Sequence, residues 1–338
     1  MEPAPPKPDR RARLWIPALA LGVIACAAVL PLFGQVRLDP VALARALRSG
    51  EDSIEAHLYL TTRLPRVLFG LVCGGGLALA GAVYQAVLRN DLAEPYSLGV
   101  ASGSALGALA VYQLAGLRWS AWALPSGAFM GAVGALALLY GLSRVRRGPS
   151  TPGALLLAGV TLNFLFGSAI LLIQYLSDPF QTLLLLRWLM GGLDVPSYGV
   201  VGAAAALLAG ALAVLLAQAR ALNLLALGDE GAFHLGVRVV RVRLLALGAA
   251  SVLVAFLAAF AGPIGFVGLI VPHAMRKLVG ADHRSLLISA TMGGAIFLAM
   301  ADMCARFTLG SVELPVGVLT GLLGAPFFLW LLATRRSP

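Results

Sequence analysis

A chain of 338 residues that is 59% hydrophobic and only 12% charged, with a mean hydropathy of +0.89, cannot cover itself with a solvated surface; soluble domains carry about 25% charged residues. The composition excludes a soluble globular protein and indicates a polytopic membrane protein, all-α if its apolar runs have the length of helical spans. A net charge of +10 does not point to nucleic acid, because the basic residues sit between apolar runs, where orientation in a bilayer places them.

The first thirteen residues, MEPAPPKPDRRAR, are proline-rich and charged and read as a disordered cytoplasmic tail. From residue 14 to 334 the chain reads as one transmembrane domain, and 335–338 as a second short tail. Within it lie about ten apolar runs, each close to the roughly 20 residues that cross a bilayer. They cover 14–33, 64–88, 97–116, 122–142, 153–176, 198–219, 243–261, 263–279, 285–306 and 314–334. The eighth is the shortest and holds Gly265, Gly268 and Pro272, so a broken or tilted segment is expected there. With the N-terminus inside, basic residues favour the cytoplasmic side by about two to one, which puts both termini in the cytoplasm. Arginines on the other side, among them Arg63, Arg66, Arg187 and Arg306, then require a reason.

Two elements lie outside the runs. In LDPVALARALRSG, Asp39 is a candidate N-cap, Pro40 suits the first helical position and Gly50 suits the stop. Together they predict a short amphipathic helix on the outer side. On the cytoplasmic side, within 220–242, Asp229 is a candidate cap for a short helix that Gly236 ends, and Thr151 with Pro152 starts the fifth run in the same way. That cytoplasmic segment carries Leu224, Leu225, Phe233 and Leu235 where water is expected, so it needs a partner surface.

Catalytic chemistry finds no support. GxxxxGK[ST] is absent, and Cys26, Cys73 and Cys304 are isolated in apolar runs, so neither a nucleotide loop nor a metal site is indicated. His57, His234, His273 and His283 form no set with a nucleophile. Asp302 and Glu313 are nearly the only acids in or beside a run, whereas ion-coupled carriers keep buried carboxylates. Energy therefore arrives through a partner, and the apolar cytoplasmic segment is the candidate socket.

Five blocks in order resemble the FecCD family, the permease subunits of type II ABC importers. They are RLPR at 63–66, LALAGAVYQAVLRNDLAEPYSLGVASGSALGA from Leu77 to Ala108, and LGDEGAFHLGV from Leu227 to Val237. GPIGFVGLIVPHAMRKLVGADHR from Gly262 to Arg284 and ELPVGVLTGLLGAPFFLWLL from Glu313 to Leu332 complete the set. The resemblance implies a cobalamin-importer-like permease fold in a bacterial inner membrane, and a homodimer with a central pathway. It also implies two ATPase subunits that hold ATP and Mg on behalf of a chain with no cofactor of its own. A substrate-binding protein would deliver a metal chelate: a ferric siderophore, haem or cobalamin.

Onto this sequence the resemblance carries docking to the binding protein for Arg63, Arg66 and Arg306. It carries coupling to the ATPase for Gly228, Asp229, Glu230, Ala232, Phe233, Leu235 and Gly236. Guanidinium suits the docking role because it pairs bidentately with carboxylates; each exposed pair is worth only about 0.2–1 kcal/mol, so several are needed. By the same analogy the fifth run lines the pathway, with Thr161, Asn163, Ser168 and Gln174 as polar contacts for cargo. Where the family commonly has proline in NPLA[DE]P, this chain has Asp91, which restores a backbone donor and leaves the turn looser or recapped. An ion-gradient-driven secondary transporter is the main alternative, followed by an intramembrane enzyme and an exporter permease.

Overall fold

The computed structural model describes residues 10–34, 36, 38–49, 53–115, 123–145, 152–177, 179–193, 197–307 and 313–334, and no strand occurs among them. Each of the ten apolar runs coincides with a helix. In chain order these are α1 (Arg10–Val29), α4 (Leu64–Leu88), α5 (Val100–Ala115), α6 (Ala123–Val145) and α7 (Pro152–Tyr175), then α9 (Tyr198–Ala217), α12 (Val239–Ala261), α13 (Val267–Val279), α14 (His283–Phe307) and α15 (Val316–Thr334). Six described helical segments are long and apolar enough to cross a membrane by length and composition alone. α1 starts at Arg10, so the last residues assigned to the tail are helical; residues 1–9, Gly50, Thr151 and 335–338 lie outside the described residues.

Between these run shorter helices. α2 (Pro40–Ser49) is the amphipathic helix expected on the outer side, and Asp39 Oδ1 accepts from Val41 N at 2.9 Å as the cap requires. Leu43 and Ala46 bury its apolar face against Ala56 of α3 (Ile54–Leu58), a helix absent from the sequence reading. One π-helical turn, Tyr59–Arg63, joins α3 to α4. α8 (Pro179–Leu189), α10 (Ala219–Leu225) and α11 (Asp229–His234) fill connections after α7 and α9.

α4 is the axis of the bundle. It is buried along most of its length and packs against α14, α12, α13 and α9. Without a hydrophobic force between helices in lipid, small residues decide where backbones meet. A Cβ at Gly81 would lie 2.0 Å from the Gly268 carbonyl oxygen, which sets the α4–α13 crossing. Likewise Gly103 and Gly107 of α5 face Gly127 and Gly131 of α6, and a Cβ on any of the four would strike backbone within 2.8 Å.

The short eighth run has a physical explanation. α13 has 13 residues, about 20 Å of helix, and residues 262–266 before it are not helical. That stretch of backbone is satisfied by side chains from neighbouring segments. Ile264 N donates to the Tyr96 hydroxyl at 2.8 Å and Phe266 N to Glu94 Oε2 at 3.2 Å, while in the first turn of α13 Gly268 O accepts from Gln85 Nε2 at 3.1 Å. Irregular backbone among membrane helices is tolerated only when protein buries and pairs it in this way. The NDLAEP turn that supplies Glu94 is recapped: Asn90 Oδ1 accepts from Leu92 N at 2.9 Å, and Asp91 pairs with Arg276 at 3.2 Å. Asp91 has exchanged the rigidity of proline for an ion pair to α13.

Candidate functional site

Charged side chains collect at the two ends of α4, whose 25 residues separate them by about 37 Å. At its N-terminal end Arg66 donates through Nε (3.2 Å) and Nη2 (3.0 Å) to Asp302 Oδ1, and through Nη1 to Glu313 Oε2 at 2.9 Å. Arg306, one turn beyond Asp302 on α14, reaches the other carboxylate oxygen with Nε at 3.3 Å and donates to Phe33 O at 3.3 Å. Arg63 donates to the carbonyls of Leu32 (3.2 Å) and Val36, folded over Gly34. All three arginines expected at the outer end thus come together, but each already has partners within the chain. Arg63 and Arg306 are buried, and Asp302 is buried between two guanidiniums.

Asp302 was missed as a member of this cluster. Its signal was present: an aspartate four residues before Arg306 shares its helix face, and a charge inside a span demands a partner.

The C-terminal end of α4 is built differently. Arg89, left-handed at φ 48°, ends the helix and reaches Asp229 Oδ1 at 3.4 Å. Arg243 of α12 grips the same carboxylate through Nη2, at 3.0 and 3.1 Å. Asp229 is the first residue of α11; the capping position belongs to Gly228, whose φ of 100° suits glycine. Its carboxylate turns into the bundle and pins the helix there.

α11 closes as the sequence indicates. Gly236, at φ 83°, donates to Phe233 O at 2.9 Å and Val237 N to Ala232 O at 3.0 Å, a glycine-terminated helix end. Ala232 packs inward, whereas Phe233 and Leu235 are 70% and 58% exposed, with Leu227 and Glu230 beside them. Leu225 is buried and Leu224 packs on the core, so these two leucines do not face water as the sequence reading had them. Behind α11, Asn223 of α10 donates to Asp282 Oδ1 at 2.6 Å and accepts from His283 N at 2.9 Å, tying α10 to the start of α14.

The four polar residues of α7 separate by face. Seven residues apart, Thr161 and Ser168 share the exposed side with Phe164, Leu165, Leu171 and Leu172. Asn163 and Gln174 lie eleven residues apart on the opposite face and are half-buried. Asn163 donates to Tyr96 O at 3.0 Å and accepts from the Ser102 hydroxyl at 2.6 Å, binding α7 to the turn before α5. No group of three His, Cys, Asp or Glu side chains suited to a metal occurs among the described residues.

The profile of the FecCD transport family matches residues 19–334. The hemin transport system permease HmuU of Yersinia pestis is 39% identical over 95% of this chain and 97% of its own. The cobalamin import system permease BtuC of Halobacterium salinarum is 42% identical over 88% of this chain and 79% of its own. Among solved structures, one described as an inward-facing conformation of a metal-chelate type ABC transporter superposes with a TM-score of 0.82. It is 31% identical, over 96% of this chain and 99% of that one.

Proposed function

This chain belongs to the FecCD transport family, and from that premise we propose that it is the permease subunit of an ATP-driven importer of a metal chelate. It crosses a bacterial inner membrane ten times with both termini in the cytoplasm and works as a homodimer. Two separate ATPase subunits hold ATP and Mg; a substrate-binding protein delivers cargo to the outer end. The exposed face of α7, with Thr161 and Ser168 among apolar side chains, is the reading's candidate for the pathway and the contact with the second copy. Asn163 serves packing instead.

The observation that carries this reading is α11. A six-residue helix closed at its C-terminal end by Gly236 and pinned to the bundle by Asp229 holds Phe233 and Leu235 in water. Apolar side chains held rigidly on a charged, water-facing end suit docking into a groove of a partner. The rival, an ion-gradient carrier, needs a carboxylate free to bind and release a cation. Asp302, the buried acid among the described transmembrane helices, is shared by Arg66 and Arg306, which suits a structural counterion. Similarity to permeases named for hemin and for cobalamin supports cargo of that class, with ferric siderophores as the third member.

Uptake of radiolabelled cobalamin, haem and a ferric siderophore, in cells expressing this permease with candidate ATPase and binding-protein partners, tests the reading. Import of one cargo that disappears with a hydrolysis-dead ATPase is the expected result. Uptake surviving in that control overturns the ATP-driven reading in favour of the carrier.

A further inference from the structure

Beside the outer arginine cluster an open cleft of about 80 Å³ lies between the end of α8, the turn at Gly191 and Gly192, the end of α12 and the start of α15. Its frame is fixed by backbone bonds: Gly192 N donates to Ala261 O at 2.8 Å, and Gly317 N to Gly191 O at 3.3 Å. Arg66, Arg187 and Glu313 are its charged lining, with Trp188 and Phe260 as aromatic walls.

The charges are unequally held. Asp302 grips the Nε and Nη2 edge of Arg66 in the interior, so the direction of that guanidinium is set whatever happens in the cleft. Glu313 holds only Nη1, from a side chain that is 44% exposed against 13% for Arg66 and 3% for Asp302. Arg187 is exposed in the same cleft and has no carboxylate partner among the described residues. Among the described residues that line the cleft, two guanidiniums, Arg66 and Arg187, meet one carboxylate, Glu313, and that carboxylate is the replaceable one.

Taking the pairing of a binding-protein carboxylate with Arg66 as given by the reading above, we propose that Glu313 occupies this cleft from within until docking and that Arg187 is the second cation of the socket. The proposal rests on the reading that the outer end receives a binding protein. An incoming carboxylate takes the Nη1 edge of Arg66 as Glu313 leaves it and gains Arg187, which Glu313 does not engage. Because Asp302 keeps Arg66 aligned, little ordering is required when the pair exchanges. The neighbouring indole and phenyl rings exclude water from one side of the new pair and so strengthen it. Glu313 is then a competitive, built-in brake on docking.

The test uses the intact permease–ATPase complex in nanodiscs and the binding protein that supports uptake in the assay above, with affinity and association rate measured at several salt concentrations. Glu313→Gln removes the competitor and tightens docking about fivefold, the factor that a half-exposed ion pair is worth. Arg187→Gln weakens docking by a similar factor and flattens the salt dependence of the association rate. Both side chains reach solvent, so neither substitution threatens the fold. Docking that weakens or stays unchanged with Glu313→Gln overturns the exchange, and an Arg187→Gln complex with wild-type affinity and salt slope overturns the second cation. If no binding protein docks on the wild-type complex, the importer reading fails together with this inference; normal wild-type docking with inert variants removes the inference alone.

Discussion

The two ends of α4 use arginine and aspartate to opposite purposes. At the N-terminal end the charges are inside: Asp302 is buried between Arg66 and Arg306, and Arg63 is folded onto backbone carbonyls. At the C-terminal end Asp229 and Arg89 are each about a third exposed, and the exposed side chains of α11 include Phe233 and Leu235. Polar groups thus close the N-terminal end from within and leave Glu313 as its most exposed carboxylate. At the C-terminal end, polar groups fasten a helix so that apolar ones face outward. In one place ionic pairing is the core; in the other it is the bracket that holds an exposed apolar face.

That contrast breaks most sharply at Asp302. Replacing it with alanine takes the carboxylate from the buried Arg306 and leaves the half-buried Arg66 with Glu313 alone, and loss of one partner from a buried charged cluster costs about 3–5 kcal/mol. Asp302→Ala should unfold at markedly lower temperature in detergent, or fail to accumulate, when followed by fluorescence-detected size exclusion. Wild-type stability in that variant would mean that Arg66 and Arg306 do not depend on this carboxylate, and the contrast would collapse.

Next in size is the apolar face of α11. Phe233→Asp together with Leu235→Asp should abolish co-purification of the ATPase, since buried interface anchors are each worth about 2 kcal/mol or more. Permease stability should stay within about 0.5 kcal/mol, as expected for exposed positions. A complex recovered at normal yield would remove α11 from the coupling role.

Much of this layout was legible in the sequence, and its gaps have physical causes. Long apolar runs located the principal helices because their signal is local and strong; α4 ends where Arg89 interrupts the run. The amphipathic α2 and the Gly236 stop were readable because caps and left-handed turns are also local. Partner choice was not. That Asp229 points back to Arg89 and Arg243, or that Arg66 is divided between Asp302 and Glu313, depends on residues up to 247 positions apart. The faces of α7 were available from the helical period alone: 161 and 168 coincide, as do 163 and 174, on opposite sides. Polarity, by which all four were selected, carries no information about the face.

Between the two ends, that division of faces yields a smaller prediction. Asn163→Ala removes two hydrogen bonds joining α7 to Tyr96 and Ser102 and should lower stability by about 1–2 kcal/mol, with uptake per folded molecule unchanged. Thr161→Ala, on the exposed face with its hydroxyl bonded to Leu157 O, should leave thermal stability unaltered and show its effect only in uptake. Reversed outcomes would place the pathway on the other face of α7.

Smallest in free energy, and most telling about the bracket at the C-terminal end of α4, is Asp229→Asn. The substitution keeps size and some hydrogen bonding but removes the charge that Arg243 grips at 3.0 and 3.1 Å and Arg89 meets at 3.4 Å. Because the carboxylate is about a third exposed, solvent screens much of the loss, and about 1 kcal/mol is expected. The apolar face of α11 is untouched, so the ATPase should still assemble. What should change is transmission: a helix no longer fastened to α4 and α12 shifts against the bundle instead of moving it. ATP hydrolysed per cargo molecule should therefore rise while complex yield stays constant, a ratio measurable in proteoliposomes. Arg89→Gln, which removes the weaker of the two grips, should give the same change at lower amplitude, and the double variant should fall short of the sum because both act on one carboxylate. Full additivity, or an unchanged hydrolysis-to-transport ratio in Asp229→Asn, would reduce the cluster to surface decoration and leave any coupling to the apolar face of α11 alone.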